Sequence, residues 1–215
     1  MESIFDEGTI YEVLLVTCAS RGAVNVSPVG VTRRGSVLEL TIESATTTAR
    51  NLRDSAYATI NILHNPLAFA QATFSQLRID EMAHPKGFEA PALARADACI
   101  ATRVSSVTEV SKVDRLGSTP FLHVVLEPLA ILAPGPPRPH SRQFAAIIEA
   151  LIHASRALVA ASKGIPEEVE AHIQLSRTHL DAAKKLGEDP TVIEAIRLCE
   201  SRLEMAIESV RLEED

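Results

Sequence analysis

Residues 11–31 read YEVLLVTCASRGAVNVSPVGV, and this stretch decides the fold. Residues 11–18 are a run of apolar and β-branched side chains typical of a buried strand, and residues 20–22 supply the turn after it. Residues 24–31 mix valine with small and polar side chains, which predicts a second strand. Pro28 cannot donate to a strand ladder, so it indicates an edge or a bulge within that strand.

Further β-rich runs follow at similar intervals, over residues 37–42, 56–63, 99–110 and 121–132. Short strands at this spacing predict an antiparallel barrel or sandwich rather than an alternating βαβ array. Two short helices are expected between them. The first covers residues 46–54, with Thr46 or Thr47 as its N-cap, and the second covers residues 66–74 and begins at a proline.

The chain changes character at Pro134. Residues 133–140 (APGPPRPH) contain four prolines and are expected to be extended. Three helices follow over residues 141–163, 166–186 and 190–212, with Gly164 and Gly187 as predicted helix stops. Their apolar residues recur every three or four positions, at Ile147, Leu151, Ala154, Leu158, Ile173, Leu180, Ile193, Ile196, Leu203 and Ile207.

We therefore predict an α+β protein with three parts. An antiparallel β-barrel domain spans residues 1–133, a proline-rich linker spans residues 134–140, and a helical domain spans residues 141–215. Short connections between the last three helices favour antiparallel neighbours, as in a small helical hairpin or bundle.

Composition restricts the classes of function. A hydrophobic fraction of 46% with 23% charged residues is typical of a globular protein with a real core, and the net charge of −7 argues against nucleic acid or an anionic membrane as a partner. No window holds the ~18 consecutive apolar residues of a membrane span, and residues 1–12 have acidic but no basic side chains, unlike a secretory signal. Cys18, Cys99 and Cys199 are too far apart for a disulfide framework or zinc knuckle, which favours a reducing cytoplasm.

The chemically suggestive stretch is residues 44–52, SATTTARNL, at the start of the first predicted helix. A helix N-terminus offers unpaired N–H groups and the positive end of the helix dipole to an anion. The threonine hydroxyls add donors, and Arg50 or Arg53 adds a cation suited to phosphate. The alternative is ordinary N-capping beside a solvated arginine, and both interpretations stay open on these residues alone.

The order of these motifs resembles the FMN-binding split barrels of the flavin-reductase type. The shared pattern is Asn25-x-x-Pro28-x-Gly30, then Thr48-x-x-Asn51 at a helix start, then an apolar strand with Asn61 near its end. The whole chain, including residues 142–156 of the helical part, is most similar to the uncharacterised family named domain of unknown function 447. That family joins such a barrel to a C-terminal helical segment.

The resemblance implies FMN as the cofactor. It implies that backbone groups of residues 27–30 (Ser27, Pro28, Val29 and Gly30) line the isoalloxazine ring, with Gly30 allowing close approach. It implies that Thr46, Thr47, Thr48 and Asn51 hold the phosphate with help from Arg50, that Asn61 matches the later asparagine of the pattern, and that the protein is a homodimer with the flavin near the interface. Thr47 stands where reductases with a Lys-Asp-Thr motif carry an acid, which weakens the case for reductase activity more than the case for FMN.

A second group lies on the first C-terminal helix. Glu149, His153 and Arg156 share one face by their spacing, and Arg142 lies one and a half to two turns earlier. This group is either a polar cluster that faces the flavin or a substrate, with His153 as an acid–base, or a surface salt-bridge network. The other histidines are scattered, so the sequence implies no metal site.

Four functions follow from these observations. The first is an FMN-dependent oxidoreductase acting on a small, planar substrate. The second is a non-catalytic FMN carrier or sensor whose helices form an interaction module. The third is the same barrel with a deazaflavin or haem, and the fourth is a helical scaffold with a vestigial barrel.

Overall fold

The structure is a computed structural model that describes residues 4–5, 7–8, 10–19, 22–74, 82–84, 88, 90–114, 117–132, 142–186 and 190–214. The chain divides into two compact units. The barrel unit comprises Met1–Leu63 and Leu77–Pro137, and the helical unit comprises His64–Gln76 and Arg138–Asp215. This division differs from the predicted boundaries of 1–133, 134–140 and 141–215, because residues 64–76 group with the C-terminal helices.

Six antiparallel strands close the barrel in the order β1-β2-β3-β8-β7-β4. These strands are β1 (Ile10–Cys18), β2 (Val24–Arg34), β3 (Val37–Glu43), β4 (Tyr57–Ile62), β7 (Ala98–Asp114) and β8 (Gly117–Ile131). A two-stranded sheet, β5 (Met82–Ala83) with β6 (Ala92–Leu93), accompanies them and was not predicted. The predicted fold class, an antiparallel split barrel with C-terminal helices, is confirmed.

The strand sequences account for the barrel core. β3 alternates as predicted, and its residues Leu38, Leu40 and Ile42 are buried in the core cluster. β1 is buried on both faces from Val13 to Thr17, which is why its sequence is a continuous apolar run rather than an alternation.

The ladder between β2 and β3 is short. β2 pairs with β1 over residues 24–32, but within the described residues it pairs with β3 only from Val31↔Leu40 to Arg34↔Val37. The stretch 24–30 therefore has strand hydrogen bonds on one side only. Pro28 lies in this stretch, opposite Leu14, where a missing N–H costs nothing on the unpaired side. The predicted edge at Pro28 is thus confirmed.

The helical unit contains α2 (Pro66–Thr73), α3 (Arg142–Ser162), α4 (Pro166–Lys185) and α5 (Pro190–Glu214). α2 belongs to this unit because its aromatic side chains pack there: Phe69 meets the ring of Phe144 edge-on at 5.6 Å, and Arg202 lies over the ring of Phe74. The predicted proline-rich linker and the predicted stop at Gly187 lie outside the described residues.

The predicted apolar stripes form most of the helical core. Ile147, Leu151 and Leu180 are buried, but Ile193 is 39% exposed. On α5 the first buried position is Val192, one residue earlier, whereas Ile196 and Leu203 are buried as predicted. The three- and four-residue spacing is correct there, but the first position of the stripe is wrong.

α3 is the one described helix long and apolar enough to cross a membrane by length and composition. More than half of its most apolar window is buried inside the structure. The core helix of a soluble bundle meets the same criteria, so this feature is weak evidence for a membrane span.

The turn between α3 and α4 depends on Gly164, whose φ is +63°. Its N–H donates to the carbonyl of Ala161, and the N–H of Ile165 donates to that of Ala160, which closes the end of α3. The predicted helix stop at Gly164 is confirmed.

We expect Gly164→Ala to lower the free energy of unfolding by about 1 kcal/mol, because a Cβ disfavours the left-handed conformation. Gly164→Asn should lose less, since asparagine tolerates this conformation better. Urea denaturation followed by far-UV circular dichroism measures both. Equal losses in the two variants would show that backbone conformation is not what Gly164 supplies.

Candidate functional site

The barrel unit presents a helix N-terminus with exposed hydroxyls. α1 (Thr47–Asp54) is capped by Thr46, whose hydroxyl oxygen accepts from the N–H of Ala49 at 3.1 Å and donates to the carbonyl of Glu43 at 2.9 Å. Thr46 and Thr47 are both exposed. The predicted N-cap is confirmed, and the first turn of α1 carries no acidic side chain that would repel an anion.

A cation lies at this end of the helix. Arg50 is exposed, and its guanidinium donates to the hydroxyl of Thr47 at 3.0 Å. Arg53, the other predicted cation, already has two partners: it pairs with Glu109 of β7 at 2.9 Å and donates to the carbonyl of Ser44 at 3.3 Å. Arg50 is therefore the arginine placed to serve the N-terminus of α1.

Buried polar contacts hold α1 against β2. Thr48 is only 2% exposed, and its hydroxyl accepts from the side-chain amide of Asn25 at 2.8 Å and shares a short hydrogen bond with Ser27. The same amide of Asn25 also donates to Ser27 at 3.0 Å. These contacts fix the helix start beside the stretch 24–30 of β2, the stretch that β3 leaves unpaired.

Asn51 holds the other end of the same face. It is 4% exposed, and its side-chain amide donates to the hydroxyl of Thr17 on β1 at 3.1 Å. Thr48 and Asn51 are three residues apart and so share the inner face of α1. Both were predicted to hold a phosphate, but their side chains already make hydrogen bonds inside the barrel unit. The exposed face of α1 carries Thr47 and Arg50 instead.

The predicted ring-lining residues of β2 alternate between two faces. Val29 is buried in the barrel core, and Ser27 points to the same side, whereas Pro28 and Gly30 point to the other. A Cβ on Gly30 would lie 3.1 Å from Cγ2 of Ile10, so the space that glycine leaves beside β2 is occupied by a side chain of β1. Residues 27–30 therefore lie along one edge of their strand, but their side chains do not lie on one face.

Ser44, in the turn that leads into α1, holds an unusual polar atom. Its Oγ is buried and has no hydrogen-bond partner among the residues that the structure describes. Buried polar atoms are rarely left unsatisfied in folded proteins, and a ligand group is one common explanation.

Asn61 has a structural role. It is fully buried in β4, its amide donates to the carbonyls of Leu14 and Thr59, and its carbonyl accepts from the N–H of Leu93 at 2.8 Å. Its side chain joins β4 to β1 and β6. These bonds occupy the groups that a cofactor contact would need.

A separate cavity of about 160 Å³ lies at β4, β7 and β8, lined by residues that include Tyr57, Thr102 and Leu129. None of the predicted site residues lines it. It is smaller than the ~300–1,000 Å³ usual for pockets that enclose an organic ligand.

The helical unit brings Glu149 and His153 of α3 together with two histidines of α4. Nδ1 of His153 lies 3.0 Å from Nδ1 of His172, and the ring of His153 stacks on that of His179 at 5.8 Å. Neither of the two α4 histidines was predicted from the sequence to belong to a cluster. Their separation of seven residues, two turns of one helix face, was the available signal.

Two histidines of the cluster, His153 and His172, have lowered pKa values. Burial lowers the pKa of His153, and the charges of His172, His179 and Arg156 lower it further, against the opposite effect of Glu149. The side chain of Arg142, the remaining member of the predicted group, lies outside the described residues.

Burial also lowers the pKa of His172, helped by Arg156 and opposed by Glu168. Nε2 of His172 lies 3.7 Å from a carboxylate oxygen of Glu168.

Comparisons with known proteins agree with this fold. A family model described as "Protein of unknown function (DUF447) N-terminal domain" matches residues 11–127. A solved FMN-bound protein of Methanosarcina mazei, assigned to the DUF447 family, superposes with a TM-score of 0.74 over 93% of this chain and 97% of that chain, at 24% identity. This similarity shows a shared fold.

Two further solved structures have lower similarity. A flavin reductase domain protein from an Arthrobacter species gives a TM-score of 0.45 at 10% identity, over 62% of this chain and 82% of that one. The flavoredoxin of Desulfovibrio vulgaris gives 0.43 at 13% identity, over 57% and 68%. TM-scores this low carry no argument about function.

We expect the helical unit to lose stability as the pH falls. Unfolded histidines bind protons near pH 6.5, whereas His153 and His172 resist protonation in the folded chain. Their stabilising effect is complete above the unfolded pKa and is lost as the pH falls through the lowered folded pKa.

Urea denaturation at pH values of about 7.5 and about 5.5, with a chelator in both buffers, measures this loss. His153→Gln should lose less stability between the two pH values than the native chain does. His84→Gln, a change at an exposed histidine of the barrel unit, should lose as much as the native chain. The prediction is wrong if His153→Gln loses stability as the control does.

Proposed function

The chain belongs to the family of proteins of unknown function DUF447, and from this membership we propose that it is a flavoprotein whose barrel unit binds FMN. The solved member of this family from Methanosarcina mazei is FMN-bound. The observation that carries the proposal for this chain is the arrangement at α1: a helix N-terminus with exposed hydroxyls and one available arginine, fixed beside an unpaired strand edge.

The N-terminus of α1 suits a phosphate monoester. Such a group carries up to two negative charges and several acceptor oxygens. The first-turn N–H groups and the hydroxyl of Thr47 are donors, and Arg50 adds a charge-assisted donor. Thr46 caps the helix and fixes the direction of these donors.

The edge of β2 suits a planar heterocycle. Within the part of the chain that the structure describes, residues 24–30 have no strand partner on the side away from β1, so their backbone groups on that edge are open to a ligand. The pyrimidine part of an isoalloxazine ring has both donors and acceptors and can bond to such an edge. The unsatisfied Oγ of Ser44 is a further polar group in the turn before α1.

The resemblance-based residues therefore separate into two groups in this proposal. Thr47, Arg50 and the backbone of residues 27–30 contact the cofactor. Thr46, whose hydroxyl is used in the helix cap, fixes the start of α1 beside it. Thr48 and Asn51 act as positioning residues that hold α1 in place through Asn25, Ser27 and Thr17. Asn61 does not contact FMN in this arrangement.

FMN binding is tested by the absorbance spectrum of the purified chain and by titration of the flavin-free chain with FMN and with riboflavin. Arg50→Gln should weaken FMN binding about tenfold, equivalent to about 1.4 kcal/mol, through loss of one exposed charge-assisted contact. It should leave riboflavin binding unchanged, because riboflavin has no phosphate.

Arg95→Gln is the matched control, since Arg95 is an exposed arginine of the barrel unit outside the site. Its FMN affinity should equal that of the native chain. A chain that neither retains flavin nor takes it up would refute the proposal. If Arg50→Gln lost equal affinity for FMN and for riboflavin, the phosphate would not bind at the N-terminus of α1.

We further propose that the bound flavin is redox-active and that the protein is a cytoplasmic oxidoreductase acting on a small substrate. When bound, the flavin supplies the electron-transfer chemistry, and the protein binds and orients it. The lowered pKa of His153 suits a proton acceptor rather than a proton donor near neutral pH. A catalytic role for His153, with Glu149 and Arg156 beside it, stays a prediction.

The second candidate is a carrier or sensor that binds FMN without turnover. Steady-state oxidation of NADH or NADPH, with free FMN as acceptor, separates the two: an oxidoreductase of the reductase type oxidises the nicotinamide continuously, and a carrier does not. A deazaflavin or haem in place of FMN would be identified by the spectrum of the released ligand.

We also propose a homodimer. The barrel strands carry large apolar side chains that are exposed in the single chain, among them Ile10 at 70%, Leu129 at 44% and Ile131 at 42%. Light scattering during gel filtration gives the mass directly, and a monomer at all concentrations would exclude the dimer.

A further inference from the structure

Three side chains of the helical unit converge without a role in flavin binding. One potential ligand atom from each of Glu149, His153 and His179 lies within 4.8 Å of the other two. Two imidazole nitrogens and one carboxylate oxygen form the ligand set found in several zinc sites that keep a fourth position for water.

The fold explains why these residues meet. Glu149 and His153 are four residues apart on α3 and share its face. α4 follows after the turn at Gly164, and His172 and His179 are two turns apart on one face of that helix. The two faces meet, because His153 contacts both α4 histidines.

We propose that Glu149, His153 and His179 form a binding site for one divalent transition-metal ion, and we assign that ion as Zn²⁺. The ligands of a tetrahedral zinc ion are about 3.4 Å apart. The three atoms therefore need to approach each other by little more than an ångström. Glu149 is exposed, so its carboxylate can make this movement by side-chain rotation.

The surroundings of the site favour a metal ligand at His153. A metal binds a neutral imidazole, and the ring of His153 is only partly exposed, where α3 meets the two histidines of α4. The hydrogen bond between Nδ1 of His153 and Nδ1 of His172 fixes the orientation of the ligand ring, as hydrogen bonds to metal-bound histidines commonly do. His172 is thus a positioning residue in this site.

The positive charge of Arg156 opposes the binding of a metal cation at this site. Its guanidinium is close enough to lower the pKa of both His153 and His172, and the same field disfavours a bound cation. Removal of this charge should therefore tighten metal binding. A purely structural histidine cluster would predict no such effect.

All residues of this site belong to the helical unit, and none of them is among the residues proposed to hold FMN. A metal bound at His153 would take the ring nitrogen that the alternative role as a free base requires. The sequence implied no metal site because the spacing of residues within one helix does not show which ligands two helices bring together.

The test is calorimetric titration of the tag-free, chelator-treated full chain with Zn²⁺. One ion per chain is expected. Glu149→Gln and His179→Gln should abolish or greatly weaken binding, and His172→Asn should weaken it by about tenfold or more. Arg156→Gln should tighten it several-fold. Glu170→Gln is the control, an exposed carboxylate on α4 outside the cluster, and should bind as the native chain does.

Circular dichroism of each variant separates loss of ligands from loss of fold, and Co²⁺ in place of Zn²⁺ gives visible absorption bands that report its coordination. FMN affinity should be the same in His179→Gln as in the native chain. Native-like zinc binding by both Glu149→Gln and His179→Gln would overturn the proposal. So would a stoichiometry of one ion per two chains, or no zinc binding by the native chain.

Discussion

The geometry of the barrel unit depends on two buried polar side chains of one short helix, Thr48 and Asn51 of α1. Thr48 bonds to Asn25 and Ser27 on β2, and Asn51 bonds to Thr17 on β1. Because these groups are almost fully buried, loss of one partner would leave an unsatisfied polar atom, at a cost of about 1–3 kcal/mol. The helix is therefore fixed in one register on the strands. The buried contacts therefore also fix the positions of the exposed residues in its first turn, which make no such contacts themselves.

Buried side-chain hydrogen bonds also join segments at β4, the strand on the other side of β1 from β2. Asn61 ties β4 to β1 and β6, and the hydroxyl of Thr59 donates to the carbonyl of Pro91 at 2.6 Å. The side chains of Asn61 and Thr59 satisfy backbone groups, whereas Thr48 and Asn51 bond to other side chains. Polar residues in these strands therefore specify which segments meet, while the apolar residues supply the general stability of the core.

The sequence predicts the elements well because their signals are local. Six barrel strands and all five helices follow from hydrophobic periodicity, proline and glycine positions, and the Thr46 cap. It predicts poorly what depends on tertiary contact. The grouping of residues 64–76 with the C-terminal helices rests on Phe69 and Phe74, and nothing near them in sequence indicates this. The inward direction of Thr48 and Asn51, and the meeting of His153 with His172 and His179, likewise require the packing of separate elements.

The helical unit is made from two pieces of chain that the second half of the barrel separates. During synthesis α2 leaves the ribosome long before α3 and α5, the helices against which its aromatic residues pack. At ~5–20 residues per second it waits for several seconds with an incomplete core. The last barrel strands are made before the helical unit can close, so the order of synthesis favours folding of the barrel first. A cut in the proline-rich segment would not release two intact domains: it would leave α2 on one fragment and its partners on the other.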